Sequence, residues 1–422
     1  MGYTFSVVLG TLYFLEVQAN LEVPMPWLKE KPMDKKILFL GEYLLQSFSF
    51  SELCSRFGIS RKTGYKWINR YNESGNAESL KDLSRRPHHS PTQTSAEIVK
   101  ALLSIRDKHP FWGPKKLLWR IERDHPQWKD LPARSTVALI LKRNDYIKPP
   151  RKRSRRYHPG QPLSEMSQPN DVWTADFKGH FKTQDGLYCY PLTICDGYSR
   201  YLFACRGMIS PLLTNVYTVF RQLFSVYGLP KIIRTDNGLP FASNALGRFS
   251  RLSVWWMRLG IIPEQIEPGC PQQNGRHERM HRTLKQETTI PAADNLKRQQ
   301  KRFNHFKSEY NTIRPHEALD MKVPAEVYKP SQKPLPKKVP QVEYPDHFEV
   351  RRVSNNSGIR WKCKRINVGT VFSGQYVGLE EIDNGLWDVY FGNVWLGRLD
   401  EKLMQIIDKL GRTQREKYTR KV

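Results

Sequence analysis

Three acidic residues have the types and flanks that metal-dependent chemistry needs: Asp176 in Trp173-Thr-Ala-Asp176, Asp236 in Arg234-Thr-Asp236-Asn-Gly238, and Glu278 in Gln273-Asn-Gly-Arg-His-Glu278. Mg²⁺ and Mn²⁺ are hard cations that prefer carboxylate oxygens and water. Two such ions about 4 Å apart need shared acidic oxygens, and three converging carboxylates supply them. That arrangement suits in-line phosphoryl transfer, in which one ion activates a water or a 3′-hydroxyl and the other steadies the leaving oxygen.

The trio carries weight only if secondary structure gathers it. Residues 171–182 and 188–196 read as strands around the turn Thr183-Gln-Asp-Gly186, and 201–206 as a third strand. A helix is expected over 213–227, stopped by Gly228-Leu-Pro230, followed by a short buried strand, 231–236. A helical stretch around 245–259, a short apolar piece at Ile261 and a helix opened by Gln273-Asn-Gly275 complete the pattern. Three antiparallel strands, a crossover helix and a further strand make an α/β layer fold. Asp176 then lies within the first strand, Asp236 at the end of the fourth and Glu278 one turn into a helix beside them. Asp171, five positions from Asp176, faces the opposite side of a regular strand, and Asp196 before Gly197 is expected to serve a turn.

The N-terminal third has a helical period. Residues 51–71 hold two short helices about the turn at Gly58, with Ser51 and Ser60 as N-caps and Leu53, Phe57, Gly64 and Ile68 facing inward. The outward face of the second helix carries Arg61, Lys62, Lys66 and Arg70, as in a helix-turn-helix whose second helix enters the major groove. After the Pro/His/Ser-rich break at 85–92, a second trihelical unit is expected from Ile98, Leu102 and Ile105, then Leu117, Leu118 and Ile121, then Val137, Ile140 and Leu141. The run 148–157, with Arg151, Lys152 and Arg153, reads as an extended linker along phosphates.

Beyond a Lys/Pro-rich linker, residues 348–353, 358–364, 376–382, 386–391 and 394–399 alternate as short strands, with Asp383-Asn-Gly385 and Gly392-Asn393 as hairpin turns. A small SH3-like β-barrel is expected there, with Arg351, Arg352, Arg360, Lys362, Lys364 and Arg365 available to DNA.

Charge supports a polyanionic partner. The 422 residues include 68 Lys+Arg and 41 Asp+Glu, a formal net charge of +27, which repels itself unless nucleic acid or a similar partner meets it. With 39% hydrophobic and 12% aromatic residues, the chain is neither a disordered tail nor a single small module. Six cysteines without a CxxC pair suggest no disulfide framework and no cysteine zinc site, and point to a reducing compartment. No apolar run is long enough to predict a membrane span. Residues 1–24 differ in composition from the basic region that Met25 opens, which makes Met25 an alternative start of translation.

Taken together, Trp173-Thr-Ala-Asp176, Arg234-Thr-Asp236-Asn-Gly-Leu-Pro-Phe241, Pro268-Gly-Cys-Pro-Gln-Gln-Asn-Gly-Arg-His-Glu278, Thr283-Leu-Lys285 and Tyr310-Asn-Thr-Ile-Arg-Pro-His316 resemble an insertion-sequence transposase of the DDE type, with the integrase-type core of the retroviral integrase superfamily. The resemblance implies a ribonuclease H-like core in which Asp176, Asp236 and Glu278 hold Mg²⁺ or Mn²⁺, two ions in all, and join 3′-hydroxyl ends to target DNA. It also implies that Lys285 and Arg282 contact the element end. The partners are then double-stranded DNA, at element ends and target, and further copies in a homodimer or higher oligomer; no membrane is involved, and the place of action is the bacterial cytoplasm at the nucleoid. The 41 residues between Asp236 and Glu278 exceed the about 35 usual in that family, so a longer helical insert must precede Glu278.

The expected class is therefore multidomain: an all-α tandem helix-turn-helix region, an α/β ribonuclease H-like core and a small all-β SH3-like barrel. The parts are a doubtful leader (1–24), a first helix-turn-helix (25–84), a second (93–147), a basic linker (148–169), the core (170–330), the Lys/Pro linker (331–346), the barrel (347–408) and a basic tail (409–422). Two rivals stay open. His277-Glu278-Arg-Met-His281 is also HExxH, which places two histidines on one helical face for zinc with the glutamate as base; Glu309 is then the nearest third ligand of a metallopeptidase. The other is a DNA-binding regulator with an inactive core.

Overall fold

The computed structural model describes residues 32–82, 93–147, 163–243, 245–409 and 411–413. The leader at 1–24, the break at 85–92 and the basic residues Arg151, Lys152 and Arg153 lie outside them. The chain divides into two compact units, Met1–Gln93 and Thr94–Val422.

In the first unit, α1 (Pro32–Leu44), α2 (Phe50–Arg56) and α3 (Arg61–Ser74) enclose Phe39, Leu53, Cys54 and Ile68. Gly58, at φ +64°, makes the turn between α2 and α3, and the Ser60 side chain caps α3 by accepting from Thr63 N. The cap of α2 is Ser49 rather than Ser51, which lies inside the helix, because the helix starts two residues earlier than a Ser51 cap implies. Arg61, Lys62 and Lys66 are exposed and Arg70 is half-buried, all on α3. Gly64 lets α3 approach its neighbours: a Cβ there would meet Cys54 Sγ and Phe50 Cζ at 2.9 Å. Gly64→Ala should therefore destabilise this unit by about 1–2 kcal/mol, overpacking outweighing the better helix propensity of alanine. Hydrogen exchange across 61–74 reads the loss directly.

The second unit begins with α4 (Ala96–Lys108), α5 (Pro114–Asp124) and α6 (Arg134–Arg143), packed around Leu102, Trp112, Leu117, Ile121, Val137 and Leu141. The core sheet follows: β1 (Val172–Phe177), β2 (Phe181–Lys182), β3 (Tyr188–Asp196), β4 (Leu202–Met208), β5 (Ile232–Thr235) and β6 (Ile262–Gln265). The order is β2-β3-β1-β5-β6 with β4 on the outside of β3; β1 runs antiparallel to β3 and parallel to β5, and β5 parallel to β6. The apolar piece at Ile261 thus leads into a parallel edge strand.

One sheet face buries Trp173, Ala175 and Ile194 under α7 (Leu213–Tyr227) and α8 (Arg251–Arg258), through Phe220, Phe224 and Trp256. On the other, Cys195, Leu202 and Cys205 meet α9 (Gly275–Thr288) and α10 (Leu296–Thr312) through Met280, Leu284, Phe303 and Tyr310. The helical module of α4 to α6 is fastened to this second layer. His109 Nδ1 lies 2.7 Å from Glu309, Arg123 pairs with Glu326 at 3.0 Å, and Ile313 packs into the module's own apolar cluster.

The Lys/Pro segment 331–346 differs from a free linker. Leu229 N donates to Lys333 O at 2.8 Å, while Leu335 and Val339 pack on the core, so it is a strap held by backbone bonds and apolar anchors. Beyond it, β7 (Glu349–Arg352), β10 (Tyr376–Asp383), β11 (Leu386–Phe391), β12 (Val394–Asp400) and β13 (Gln405–Ile407) form an antiparallel sheet, and β8 (Gly358–Trp361) pairs with β9 (Lys364–Asn367). The expected single strand at 358–364 is thus half of a hairpin, bent at Lys362, where φ is +50°. This all-β region shares its apolar centre with the extra residues between Asp236 and Glu278: Leu246, Phe249, Val254 and Met257 lie in the same cluster as Phe372, Val389 and Leu399.

Candidate active site

Strand alternation puts Thr174 and Asp176 on the α9 side of β1, with Thr193 of β3 directly opposite Asp176. Asp236 follows β5, the parallel neighbour of β1, and Glu278 lies in the first turn of α9. Burial first, then the Asp236 charge and, more weakly, the Glu278 charge push the Asp176 carboxyl up to about 7. Burial also raises Asp236, although its carboxylate accepts from the Gly238 amide. Gly238 is needed for that close approach, since a Cβ would stand 2.9 Å from Asp236 Oδ2. The other oxygen, Asp236 Oδ1, is buried without a hydrogen-bond partner. A buried carboxylate oxygen with no partner among the described residues, near enough to Asp176 to raise it, is what a hard divalent cation would satisfy.

Asp171 and Asp196 have other duties. Asp171 accepts from Ser167 N and Gln168 N and pairs with Lys231 at 2.9 Å. Asp196 accepts from Asn170 N, Ser199 N and Ser199 Oγ, closing the turn after β3.

The HExxH residues divide between two faces of α9. Glu278 is exposed, whereas His277 and His281 are buried against the sheet. Thr193 Oγ1 donates to the Asp176 carbonyl at 3.0 Å, which leaves its lone pairs for Nε2 of His277 at 2.7 Å and of His281 at 2.6 Å. His277 Nδ1 meets Thr174 Oγ1 at 2.8 Å. His281 Nδ1 stands 3.6 Å from Asp176 Oδ2, and ligand atoms of Asp176, His277 and His281 all lie within 4.8 Å of one another. With both Nε2 atoms donating to Thr193 and His277 Nδ1 against Thr174, the histidines hold the helix on the sheet, and the His281 Nδ1 lone pair is left on the side of Asp176. Glu309 pairs with His109 and does not join them.

Burial lowers the His277 ring to about 3 and depresses His281 as well, the nearby His277 and Lys178 adding to the effect on His281. Both rings are neutral when folded and protonate more readily when unfolded. Their contribution is complete above the ordinary histidine value near 6.5 and is lost progressively as pH falls below it. Thr193→Val keeps the β-branched shape but orphans two ring donors, so it should cost about 1–3 kcal/mol for each. Urea titrations at pH 7.5 and 5 test both the loss and the acid weakening.

The candidate DNA contacts are more scattered. Arg282 and Lys285 are exposed on α9, and Arg352, Arg360, Lys364 and Arg365 on the β region. Lys362 is paired with Glu401 at 2.6 Å, and Arg351 with Glu349 while its guanidinium stacks on Trp361. The sequence reading missed Asn311, whose side chain accepts from Leu202 N and donates to Leu202 O, tying α10 to β4. It also missed a cationic cavity beside α9. Its residues are far apart in the chain, and only the asparagine and arginine of Tyr310-Asn-Thr-Ile-Arg-Pro-His316 offered a signal.

A tandem helical region, an α/β layer with acids at its strand ends and a small antiparallel β region define a multidomain integrase-type chain, and family comparison gives the same order of parts. Residues 35–88 match a helix-turn-helix domain, 63–141 a homeodomain-like domain, 166–271 and 259–324 integrase core domains, and 348–406 the C-terminal domain of the IS481 family of transposases. The chain is similar to insertion-sequence transposases with an integrase-type, ribonuclease H-like core.

Among individual relatives, a transposase for insertion sequence element IS232 of Bacillus thuringiensis subsp. berliner is 21% identical, over 88% of this chain and 86% of that protein. An uncharacterized 39.2 kDa protein of insertion element IS476 of Xanthomonas euvesicatoria is 25% identical over 56% of this chain; the match spans 66% of its length, just under two thirds. Of solved structures, the HTLV-2 integrase catalytic core domain in complex with magnesium aligns over 39% of this chain and 99% of its own, at 19% identity and a TM-score of 0.31. Among the described residues no helix is long and apolar enough to cross a membrane.

Proposed function

We propose that this chain is a transposase that binds the terminal repeats of its own insertion sequence and catalyses metal-dependent strand cleavage and 3′-hydroxyl strand transfer, with Asp176, Asp236 and Glu278 as its catalytic acids. The observation that carries the reading is Asp236 Oδ1, buried with no hydrogen-bond partner among the described residues, whose carboxylate, after burial and ahead of Glu278, raises Asp176.

The three carboxylates would hold Mg²⁺ or Mn²⁺, which when bound supplies Lewis-acid activation of the attacking oxygen and charge stabilisation at phosphorus. The chain's own part is positional. The β1–β3 register fixes Asp176, the Gly238 amide orients Asp236, and the histidine–threonine network seats α9 so that Glu278 points outward. The exposed bases of α3 supply phosphate contacts for one helix-turn-helix, α4 to α6 form the second DNA-reading module, and Arg282 and Lys285 follow Glu278 toward the bound strand. Two element ends held together call for at least two copies, so the working form is a dimer or higher assembly on DNA. Its setting is the bacterial cytoplasm.

The test uses the full chain, Mg²⁺ or Mn²⁺, and duplex DNA carrying the gene's own flanks, scored for nicking and strand joining. Products that vanish with EDTA support the reading. Specific binding with no product in either metal would favour a DNA-binding regulator.

A further inference from the structure

Beside α9 lies a cavity of about 500 Å³ whose wall carries six Lys or Arg side chains and, among the described residues, a single acid, Glu317. It lies where three parts meet: Lys116 of α5, Arg200 of the β3–β4 turn, and Arg314 and His316 just after α10. Arg314 is neutralised by Glu287 at 2.6 Å, and Arg276 donates to Gly197 O. Glu317 and Glu287 offset part of the Lys116 charge, and Asp196 part of that of Arg200. Arg200 Nη1 and His316 Nε2 are both buried with no hydrogen-bond partner among the described residues. Burial and then the Arg314 charge lower Lys116 to about 7, while burial and then Arg276 lower Arg200 to about 10. Polar groups at a protein's interior are normally satisfied, and like charges converging on one space are stable together when an anion sits among them.

We infer that this cavity is a phosphate-binding site, in which Lys116 and Arg200 donate to the oxygens of one phosphate group and the neutral His316 ring lies beside it. The chemistry favours phosphate over a carboxylate ligand because donors converge from separate elements rather than in the planar fork that two carboxylate oxygens need. A phosphodiester of bound DNA and free inorganic phosphate share this chemistry. Assigning it to DNA rests on the transposase reading; phosphate binding itself does not. The site also lies at the seam between α5 and the core, so an occupied cavity would tie the second helical module to α9 through the ligand.

Calorimetric titration of the full chain with inorganic phosphate and with pyrophosphate, at constant ionic strength against chloride, reads the site directly. Saturable binding is expected, weakened at least about tenfold in both Arg200→Gln and Lys116→Gln. The two variants change different elements, and unchanged near-UV circular dichroism shows that each is folded. A second arm measures affinity for the flanking DNA against salt. A slope reduced by about one in both variants places a DNA phosphodiester in the cavity. An unchanged slope with phosphate binding lost makes free phosphate the ligand. The inference is overturned if phosphate behaves like chloride, or if both variants bind it as the parent does. If phosphate binds and the variants lose it while no strand joining is ever seen, the cavity stands and the transposase reading falls.

Discussion

Glu278→Gln should lower strand joining by roughly 10³-fold or more while leaving affinity for the flanking DNA within about twofold. The substitution keeps the side chain's size and removes only its charge. Glu278 is exposed at the first turn of α9, where its side chain does not pack in a core cluster of the described residues, so a loss of activity would not reflect unfolding. Asp236→Asn should behave alike in the joining assay, since it too loses an anionic oxygen where a cation is expected. Joining that survives in either variant removes that acid from the catalytic set. If DNA binding falls in parallel, the residue acts in recognition instead. Competition by unlabelled flanking DNA separates these two outcomes in one experiment.

Removing residues 347–422 should destabilise the catalytic core and not merely shorten the protein. Leu246, Phe249, Val254 and Met257, between Asp236 and Glu278, are buried in one cluster with the C-terminal strands. Their exposure would cost roughly 6–12 kcal/mol as an upper estimate, at 1.5–3 for each side chain. That equals the whole stability of many domains. Gly247 N also loses its bond to Asp408. The truncated chain should therefore aggregate or melt far below the parent, by scanning calorimetry and sedimentation. A soluble truncation with parental melting and nicking activity would show that the β region is an independent appendage. The segment between Asp236 and Glu278 thereby serves as a platform for the C-terminal strands.

Some of this was legible in the residues and some was not. The helix α7 is read with both ends intact because Gly228-Leu-Pro230 stops it and its apolar face is continuous. The segments around Asp176, Asp236 and Glu278 stand out in the sequence because each is a short, unusual block. The bend at Lys362-Cys363 does not, since neither residue is a turn former and the apolar alternation runs across it. The strap at 331–346 has linker composition, and only tertiary bonds to Tyr227 and Leu229 reveal that it is held. The histidine–threonine network escapes a linear reading for a different reason. Thr174 and Thr193 become neighbours through strand register, and HExxH looks the same in sequence whether its histidines face a metal or a hydroxyl.

The docking of α4 to α6 on the catalytic layer has one more consequence. His109 with Glu309, Arg123 with Glu326 and Ile313 within the module's apolar cluster fix those helices relative to the acids. In a transposase built this way, the stretch of duplex read by that module and the bond presented to Asp176, Asp236 and Glu278 lie a constant number of base pairs apart. The protein is then a ruler, and its element would tolerate base changes inside the interval far better than a single insertion or deletion there.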